Sequence, residues 1–129
     1  MHIPPGFTTV FPYLLVTDAR SYLTFLFDGL GGELLDVIAS PDGIVRNAHV
    51  RFGDTTIMVS EARAAPEASQ GTYYLYVEDA DAAVARAMAA GGRSLGPVAN
   101  MPYKDRQGGV ADPADNVWWL SQRLVPGPY

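Results

Sequence analysis

Apolar and polar residues along the chain follow one pattern twice. Residues 13–19 (YLLVTDA) return 61 residues later as residues 74–80 (YLYVEDA), and the same displacement relates Leu23 to Val84. Each copy runs from an apolar strand through an Asp-Ala pair into a helical pattern that ends at Gly-Gly. Such a period indicates two copies of one supersecondary unit, which rarely buries its apolar face alone. We therefore expect two sheets that enclose a cavity, and a cavity points to a ligand.

The first copy predicts the element order β-α-β-β-β. Asp18 is placed to cap the helix, because its carboxylate can accept an amide hydrogen bond in the first turn. Asp79 repeats this position, which favours capping over a catalytic pair of carboxylates. Alternation and turn residues delimit the strands, which we predict at residues 11–16, 34–39, 44–52 and 55–60.

The second copy predicts the same order with a long polar loop. After a strand at residues 72–77 and a helix that ends at residue 90, we predict strands at 94–100, 109–111 and 117–122. Residues 101–107 are predicted as a loop that carries Tyr103, Lys104 and Arg106. The result is an α+β fold in one domain, which comprises module 10–61, linker 62–71, module 72–123 and a tail, 124–129, not expected to be ordered by itself.

Composition excludes several classes of function. The 129 residues include no cysteine, which removes disulfides and thiolate chemistry and fits a reducing cytoplasm. A net charge of −5 argues against a nucleic-acid partner and mildly favours a cationic ligand. No apolar run approaches the ~20 residues of a membrane span, and residues 1–9 lack the basic start of a secretory signal. We therefore expect a cytoplasmic protein that binds neither membrane nor nucleic acid.

Local motifs resemble those of one superfamily over nearly the whole chain. Residues 12–19 resemble its opening strand, and residues 41–43 (Pro-Asp-Gly) followed by His49 resemble its hairpin. Residues 103–108 (YKDRQG) and 112–118 (DPADNVW) resemble its closing signature. The chain is identified as a member of the vicinal oxygen chelate superfamily, which includes glyoxalases, bleomycin-resistance proteins and dioxygenases, and of its PhnB-like branch. The resemblance implies curved mixed sheets around a cavity, and a homodimer.

The sequence departs from the family pattern mainly at the positions of the metal ligands. Lesser departures are Leu26, where Tyr is usual, and residues 115–116, where Gly-His is usual. The resemblance places one metal ligand on each of four strands, at Phe11, Met58 (or its neighbour Val59), Thr72 and Trp119. Their phenyl, thioether, hydroxyl and indole groups do not suit a divalent cation, which takes imidazole or carboxylate ligands. We therefore predict no metal, no other cofactor and no catalytic residue, so that an enzyme is not favoured.

Strand alternation assigns the side chains that line the predicted cavity. In the third strand Ala48, Val50 and Phe52 form the apolar face, so His49 and Arg51 point toward the cavity. The same parity, together with the polar loop, gives the predicted ligand-binding set: Phe11, Tyr13, His49, Arg51, Met58, Thr72, Tyr74, Tyr76, Tyr103, Arg106 and Trp119. An aromatic pocket with a few polar groups is the usual form of a small-molecule site.

Several of these residues have a structural alternative. His49 has no partner visible in the sequence, so a hydrogen-bonded strand histidine competes with a ligand contact. Arg51 and Arg106 either bind an anionic group or form surface salt bridges. The tyrosines and Trp119 either line a pocket or belong to the core. Glu61 is a spare carboxylate that nothing in the sequence positions as an acid or base.

Three functions compete. The leading hypothesis is a metal-free binding protein of the bleomycin-resistance type, which sequesters a small aromatic or cationic molecule by stacking it on aromatic side chains. The alternative is a divergent metal-dependent glyoxalase- or dioxygenase-like lyase, in which His49 is the only histidine able to take part. The third is a structural or regulatory dimer with a vestigial pocket. Stoichiometric metal would distinguish the second, and a ligand-induced rise in melting temperature would distinguish the first from the third.

Overall fold

The computed structural model describes residues 2–129, which divide into two compact units. Residues 2–27 and 31–69 form the first unit, and residues 28–30 and 70–129 form the second. Each unit holds one mixed β-sheet, with four strands in the first and five in the second across the described residues. The α+β class predicted from the sequence is confirmed. No helix within residues 2–129, including a short 3-10 helix at Ala65–Glu67, has the length and apolar character to cross a membrane.

The first unit combines a helix with a four-stranded sheet. The helix is α1 (Ala19–Asp28), and the strands are β1 (Tyr13–Val16), β2 (Glu33–Ala39), β3 (Val45–Phe52) and β4 (Thr55–Glu61). Their spatial order is β1-β4-β3-β2, with β1 parallel to β4 and the other pairs antiparallel. The core draws on one side of the sheet, where Leu14, Val50 and Val59 are buried, and on α1, where Leu23 and Leu26 are buried.

The second unit repeats this arrangement with one extra short strand. Its helix is α2 (Ala80–Ala89), and its strands are β5 (Thr72–Tyr76), β6 (Arg93–Ser94), β7 (Ala99–Asn100), β8 (Asp105–Ala111) and β9 (Val117–Arg123). The spatial order is β5-β9-β8-β6, and β7 also pairs with β8. Helix α2 packs on β8. A Cβ on Gly108 would lie 2.9 Å from Val84 Cγ2, so the missing side chain of this glycine admits the helix.

The two helices begin with equivalent hydrogen bonds. The Asp18 carboxylate accepts a hydrogen bond from Ser21 N at 3.3 Å, and the Asp79 carboxylate accepts one from Ala82 N at 3.1 Å. The two positions differ in backbone, because Asp18 has φ 59° and Asp79 has φ −142°. Aspartate tolerates the left-handed region better than most residues. The predicted capping role of both aspartates is confirmed.

A second cap comes from the last strand of each sheet. Glu61 accepts hydrogen bonds from Asp18 N at 2.8 Å and from Ala19 N at 2.9 Å. The residue 61 positions later, Gln122, accepts one from Ala80 N at 3.0 Å. The sequence repeat therefore extends to a side chain that ties the last strand to the start of the helix.

The other predicted strands agree with the structure to within two residues, with β1 beginning at Tyr13 rather than at Phe11, but two stretches differ more. The sequence predicts a loop over residues 101–107, whereas β8 begins at Asp105, because cross-strand pairing with β9 outweighs the polar composition. The predicted strand 94–100 is divided into β6 and β7. Gly96 there has φ 151°, and Pro97 has no amide proton to donate to a ladder.

The tail, residues 124–129, has neither helix nor strand, and the second sheet holds it in place. Leu124 N donates to Lys104 O at 2.9 Å, and Arg123 Nη2 donates to Pro128 O at 3.0 Å. Tyr129 OH donates to the Asp105 carboxylate at 2.6 Å. The order of the tail therefore depends on contacts with the sheet rather than on the tail itself.

Candidate functional site

Each sheet has one face rich in aromatic and polar side chains. The first face comprises Tyr13, Asn47, His49, Arg51, Thr56, Met58 and Ser60, and the second face comprises Thr72, Tyr74, Tyr76, Asp105, Gln107, Gly109, Trp119, Ser121 and Arg123. Strand register places Met58 opposite both Tyr13 and His49, and Trp119 opposite Tyr74. Each face includes an aromatic residue from the predicted ligand-binding set beside polar groups.

An aromatic contact joins two predicted residues on the first face. The ring of Phe7 lies edge-on to His49, with 5.1 Å between centroids, and 4.9 Å from the ring of Phe11. Phe7 precedes β1, and the sequence prediction did not include it. His49 is half-buried beneath this contact. The imidazole, on the inner strand β3, therefore packs against an aromatic ring on the first face.

Polar groups on the first face form a small network around Ser60. Ser60 Oγ donates to Arg46 O at 2.7 Å, so the Tyr13 phenol, 3.0 Å away, is the donor to Ser60. Tyr13 is nevertheless 53% exposed. Thr56 Oγ1 is buried, and no hydrogen-bond partner for it lies within residues 2–129. A ligand hydroxyl or a water could supply the missing bond.

Arg51 forms a surface salt bridge. Its Nη2 lies 2.8 Å from Glu33 Oε2, and both side chains are largely exposed. This is the structural alternative considered for Arg51 on the basis of the sequence. Pairing with Glu33 leaves Arg51 less able to bind an anionic ligand.

A buried carboxylate lies on the second face, where β8 begins and β9 ends. Asp105 is fully buried, and its Oδ2 accepts hydrogen bonds at 2.6 Å from the phenols of both Tyr74 and Tyr129. Its Oδ1 lies 3.1 Å from Arg123 Nη1. The Tyr74 phenol also lies 2.8 Å from Gln107 Oε1. Three donors around one carboxylate match what a charge removed from water requires.

These contacts shift the pKa values of the groups involved. Burial acts to raise the pKa of Asp105, but the hydrogen bonds from the two phenols and the guanidinium outweigh burial and hold the pKa below its ordinary value. Burial, with the hydrogen bond to Asp105, raises the pKa of Tyr74 to about 12. The hydrogen bonds to Asp105 and Tyr76 raise the pKa of Tyr129. At neutral pH the cluster therefore contains a carboxylate and protonated phenols.

Aromatic rings surround this cluster. The rings of Tyr74 and Tyr76 meet edge-to-face at 5.3 Å, and the two side chains are 44% and 57% exposed. Trp119 lies across Gly109 on β8, where a Cβ would come within 2.7 Å of the indole Cζ3. Gly109 therefore lets the indole lie against the neighbouring strand. Thr72, exposed at the start of β5, lies two residues before Tyr74 on the same face.

Arg106 does not join this cluster, and Tyr103 contributes to it through its backbone. Alternation along β8 turns Arg106 away from Asp105, and its guanidinium binds Asp81 on α2 at 2.6 and 3.0 Å. This salt bridge is the alternative considered for Arg106. Tyr103 O accepts a hydrogen bond from Arg123 Nη1 at 2.6 Å, and its side chain is 41% exposed.

The predicted ligand-binding set does not include Asp105, because the sequence predicts a loop over residues 101–107. The alternation of Asp105, Gln107 and Gly109 with their neighbours is the local signal for a strand. Partners of Asp105 come from β5, β9 and the tail, which are distant in sequence. Local patterns therefore could have placed Asp105 on a face but could not have shown its burial.

The four positions implied by the resemblance do not fit a metal. Phe11 and Met58 belong to the first unit and Thr72 and Trp119 to the second. None offers an imidazole or carboxylate, which divalent cations prefer. Within residues 2–129, no three His, Asp or Glu side chains are grouped so that they could hold a metal ion. The Glu61 carboxylate, which the sequence leaves without a role, caps α1.

The family is established by comparison with known proteins. A family model described as the Glyoxalase/Bleomycin resistance protein/Dioxygenase superfamily matches residues 7–120. The chain belongs to this superfamily. The resemblance recognised in the sequence is thereby confirmed at the level of the superfamily and its α+β fold.

Individual relatives agree with this assignment. "Uncharacterized protein Mb0911c" of Mycobacterium bovis is 30% identical over 122 residues, which cover 86% of this chain and 80% of the relative. TnmS3 from Streptomyces sp. CB03234, described as an antibiotic binding protein, has a TM-score of 0.71 at 26% identity and covers 95% of this chain and 98% of its own. TioX from Micromonospora sp. ML1 has a TM-score of 0.74 at 23% identity over 92% of this chain and 99% of its own, which supports the fold alone.

Proposed function

We propose that this protein is a small-molecule-binding protein of the bleomycin-resistance type, which works without a metal and sequesters an aromatic or cationic ligand. The observation that carries the proposal is the second face, where Tyr74 and Tyr76 remain about half exposed beside Trp119. Clustered exposed aromatic side chains mark ligand or partner sites. The description of the similar protein TnmS3 as an antibiotic binding protein adds support.

The chemistry of the face supports binding over catalysis. Aromatic rings stabilise a stacked ligand by burying apolar area, at about 25 cal/mol per Å², and cation–π contacts add about 0.5–2 kcal/mol each. The side chains at the four implied metal positions provide no ligand set for a Lewis acid. We also propose the finer assignments that go with this function: the PhnB-like branch, antibiotic resistance, the cytoplasm, no cofactor and a homodimer.

The experiment measures ligand-induced stabilisation. The melting temperature of the wild-type protein is recorded across a panel of neutral aromatic molecules and aromatic cations, and hits are titrated by calorimetry. We expect at least one hit, and we expect Trp119→Ala to weaken its binding by about 1–3 kcal/mol, the range for a buried aromatic contact. Prior dialysis against a chelator should leave the affinity unchanged.

Tyr73→Phe provides the matched control. Tyr73 is adjacent to Tyr74 on β5, but alternation turns it to the opposite side, where its ring packs 4.8 Å from that of Trp118. This variant should bind the hit as the wild type does. Binding that disappears after chelation, or an activity that depends on added metal, would contradict the proposal and favour the metal-dependent lyase.

A further inference from the structure

The phenol of Tyr129 is recognised by the second face although Tyr129 belongs to the tail. Its hydroxyl donates to Asp105 Oδ2 at 2.6 Å and lies 2.5 Å from the hydroxyl of Tyr76. Because Tyr129 gives its one proton to Asp105, Tyr76 is the donor in the second contact. The ring of Tyr129 lies against the guanidinium of Arg123, with 4.3 Å between Cζ and the ring centroid. The face therefore binds both the hydroxyl and the ring of one phenol.

Much of this tyrosine remains in solvent. Tyr129 is 70% exposed, and the tail that carries it forms no helix or strand. Keeping the ring in place requires the order of residues 124–128, which costs conformational entropy. A free molecule with the same ring and hydroxyl could make the same contacts without ordering the tail.

The charges on the face define which molecule fits. The Asp105 carboxylate and the Arg123 guanidinium lie 3.1 Å apart, so together they are close to neutral. A cation at the Tyr129 position would approach Arg123, and an anion would approach Asp105. A neutral hydroxyl donates to the carboxylate while its ring stacks on the guanidinium. The pair therefore favours a neutral aromatic alcohol over either ion.

We propose that Asp105 and Arg123 form a binding site for a neutral, hydroxylated aromatic ring, and that Tyr129 occupies this site until such a ligand displaces it. This inference rests on the proposed function and deepens it by naming the chemical class of the ligand. Displacement exchanges one set of hydrogen bonds and ring contacts for another, and no covalent bond changes.

Chemical rescue tests the site. Tyr129→Ala is titrated with p-cresol, which is the tyrosine side chain as a free molecule, with toluene, which lacks the hydroxyl, and with benzylamine, which is a cation. We expect p-cresol to raise the melting temperature of the variant and to bind it at least ~10-fold more tightly than the wild type, where Tyr129 competes. Toluene and benzylamine should bind the variant at least ~10-fold more weakly than p-cresol. Toluene has no donor for Asp105, and the ammonium of benzylamine adds a positive charge beside the Arg123 guanidinium.

A spectroscopic readout and a control locate the effect. The guanidinium Nε–H resonance of Arg123 should shift when p-cresol binds Tyr129→Ala. Tyr73→Phe removes a phenol on the opposite side of the sheet, where Tyr73 packs against Trp118, and leaves the site occupied by Tyr129, so it should gain no affinity for p-cresol. Tyr129 is 70% exposed, and Asp105 keeps Tyr74 and Arg123 as donors in the variant, so Tyr129→Ala should still fold.

Two outcomes would overturn the proposal. One is equal binding of p-cresol and toluene to Tyr129→Ala, and the other is p-cresol affinity that is the same in the variant and the wild type. If ligands without a hydroxyl bind the wild type through Trp119 while p-cresol rescue fails, this inference is wrong and the proposed function stands. If p-cresol binds Tyr129→Ala but no larger aromatic molecule binds the wild type, sequestration is wrong and the Asp105 site stands.

Discussion

Asp105 shows how one buried charge organises its surroundings. A carboxylate removed from water is costly unless donors replace the lost solvation. Here two phenols and the Arg123 guanidinium supply those donors, and they come from three different segments. The same contacts hold the pKa of Asp105 down, and burial together with the hydrogen bond to Asp105 raises the pKa of Tyr74. The residue therefore fixes the protonation state of the face as well as its geometry.

The raised pKa of Tyr74 predicts a loss of stability at alkaline pH. Its pKa is about 12 in the folded protein against 10.0 ordinarily, so the folded state holds this proton more tightly than the unfolded state. The stabilisation is complete below pH 10 and is lost as the pH rises from 10 to 12. Urea unfolding at several pH values should show a smaller decline in this window for Tyr74→Phe than for the wild type. Equal declines would mean that Tyr74 does not titrate in the predicted range.

The helix starts show how each element is fastened to its sheet. Glu61 accepts two amide hydrogen bonds at the start of α1, and Gln122 accepts one at the start of α2. A carboxylate also interacts favourably with the positive end of the helix dipole, and a neutral amide gains less from it. Although the two caps have similar hydrogen-bond geometry, Glu61 should therefore stabilise its helix more than Gln122 does.

Glu61→Ala should cost more stability than Gln122→Ala. We expect a loss of about 1–2 kcal/mol for Glu61→Ala and about 0.5–1 kcal/mol for Gln122→Ala, by analogy with helix caps. Glu61→Gln, which keeps an acceptor and removes the charge, should fall between the wild type and Glu61→Ala. Denaturant unfolding measures all three.

Glu33→Ala is the control for general effects of removing a glutamate. Its partner is Arg51 in an exposed ion pair, which contributes little. A cost for Glu33→Ala as large as that for Glu61→Ala would mean that the cap has no special role.

The sequence predicted elements better than it predicted the site. Alternation identified the strands around His49 and the buried positions beside it, because one side of a strand is apolar wherever it meets a core. Polar composition misassigned residues 105–107 to a loop, although pairing with β9 makes them part of a strand. The contacts of Asp105 with Tyr129 and Arg123 depend on segments that only folding brings together. Such contacts have no local signature.

At the scale of the whole molecule, the two units share a scaffold and differ in chemistry. Tyr13 and Tyr74 occupy equivalent places in the repeat, as do Ser60 and Ser121. In the first unit the tyrosine binds the serine directly. In the second, Tyr74 binds Asp105, and Ser121 donates to Gln107 at 3.1 Å. A duplicated fold has thus kept its strand order while one copy has acquired a buried charge.

The proposed homodimer can be tested on an edge strand. β2 is the edge of the first sheet, and Leu34, Leu35 and Ile38 on it are 41–54% exposed. An apolar edge strand with unpaired backbone groups is a template for pairing, and a two-fold partner would cover it. Sedimentation equilibrium at micromolar concentration should therefore give about twice the chain mass of 13.9 kDa. Ile38→Lys should shift the protein toward the single-chain mass, because a charge on the edge opposes pairing.

Met88→Lys tests whether any new surface lysine has the same effect. Met88 is 48% exposed on α2, which belongs to the second unit, whereas β2 belongs to the first. The Met88→Lys variant should sediment with the same particle mass as the wild type. A wild-type particle of about 14 kDa would rule out the dimer. A dimer that survives Ile38→Lys intact would place its interface on another surface, because a lysine buried without a partner at a paired edge is too costly to be retained.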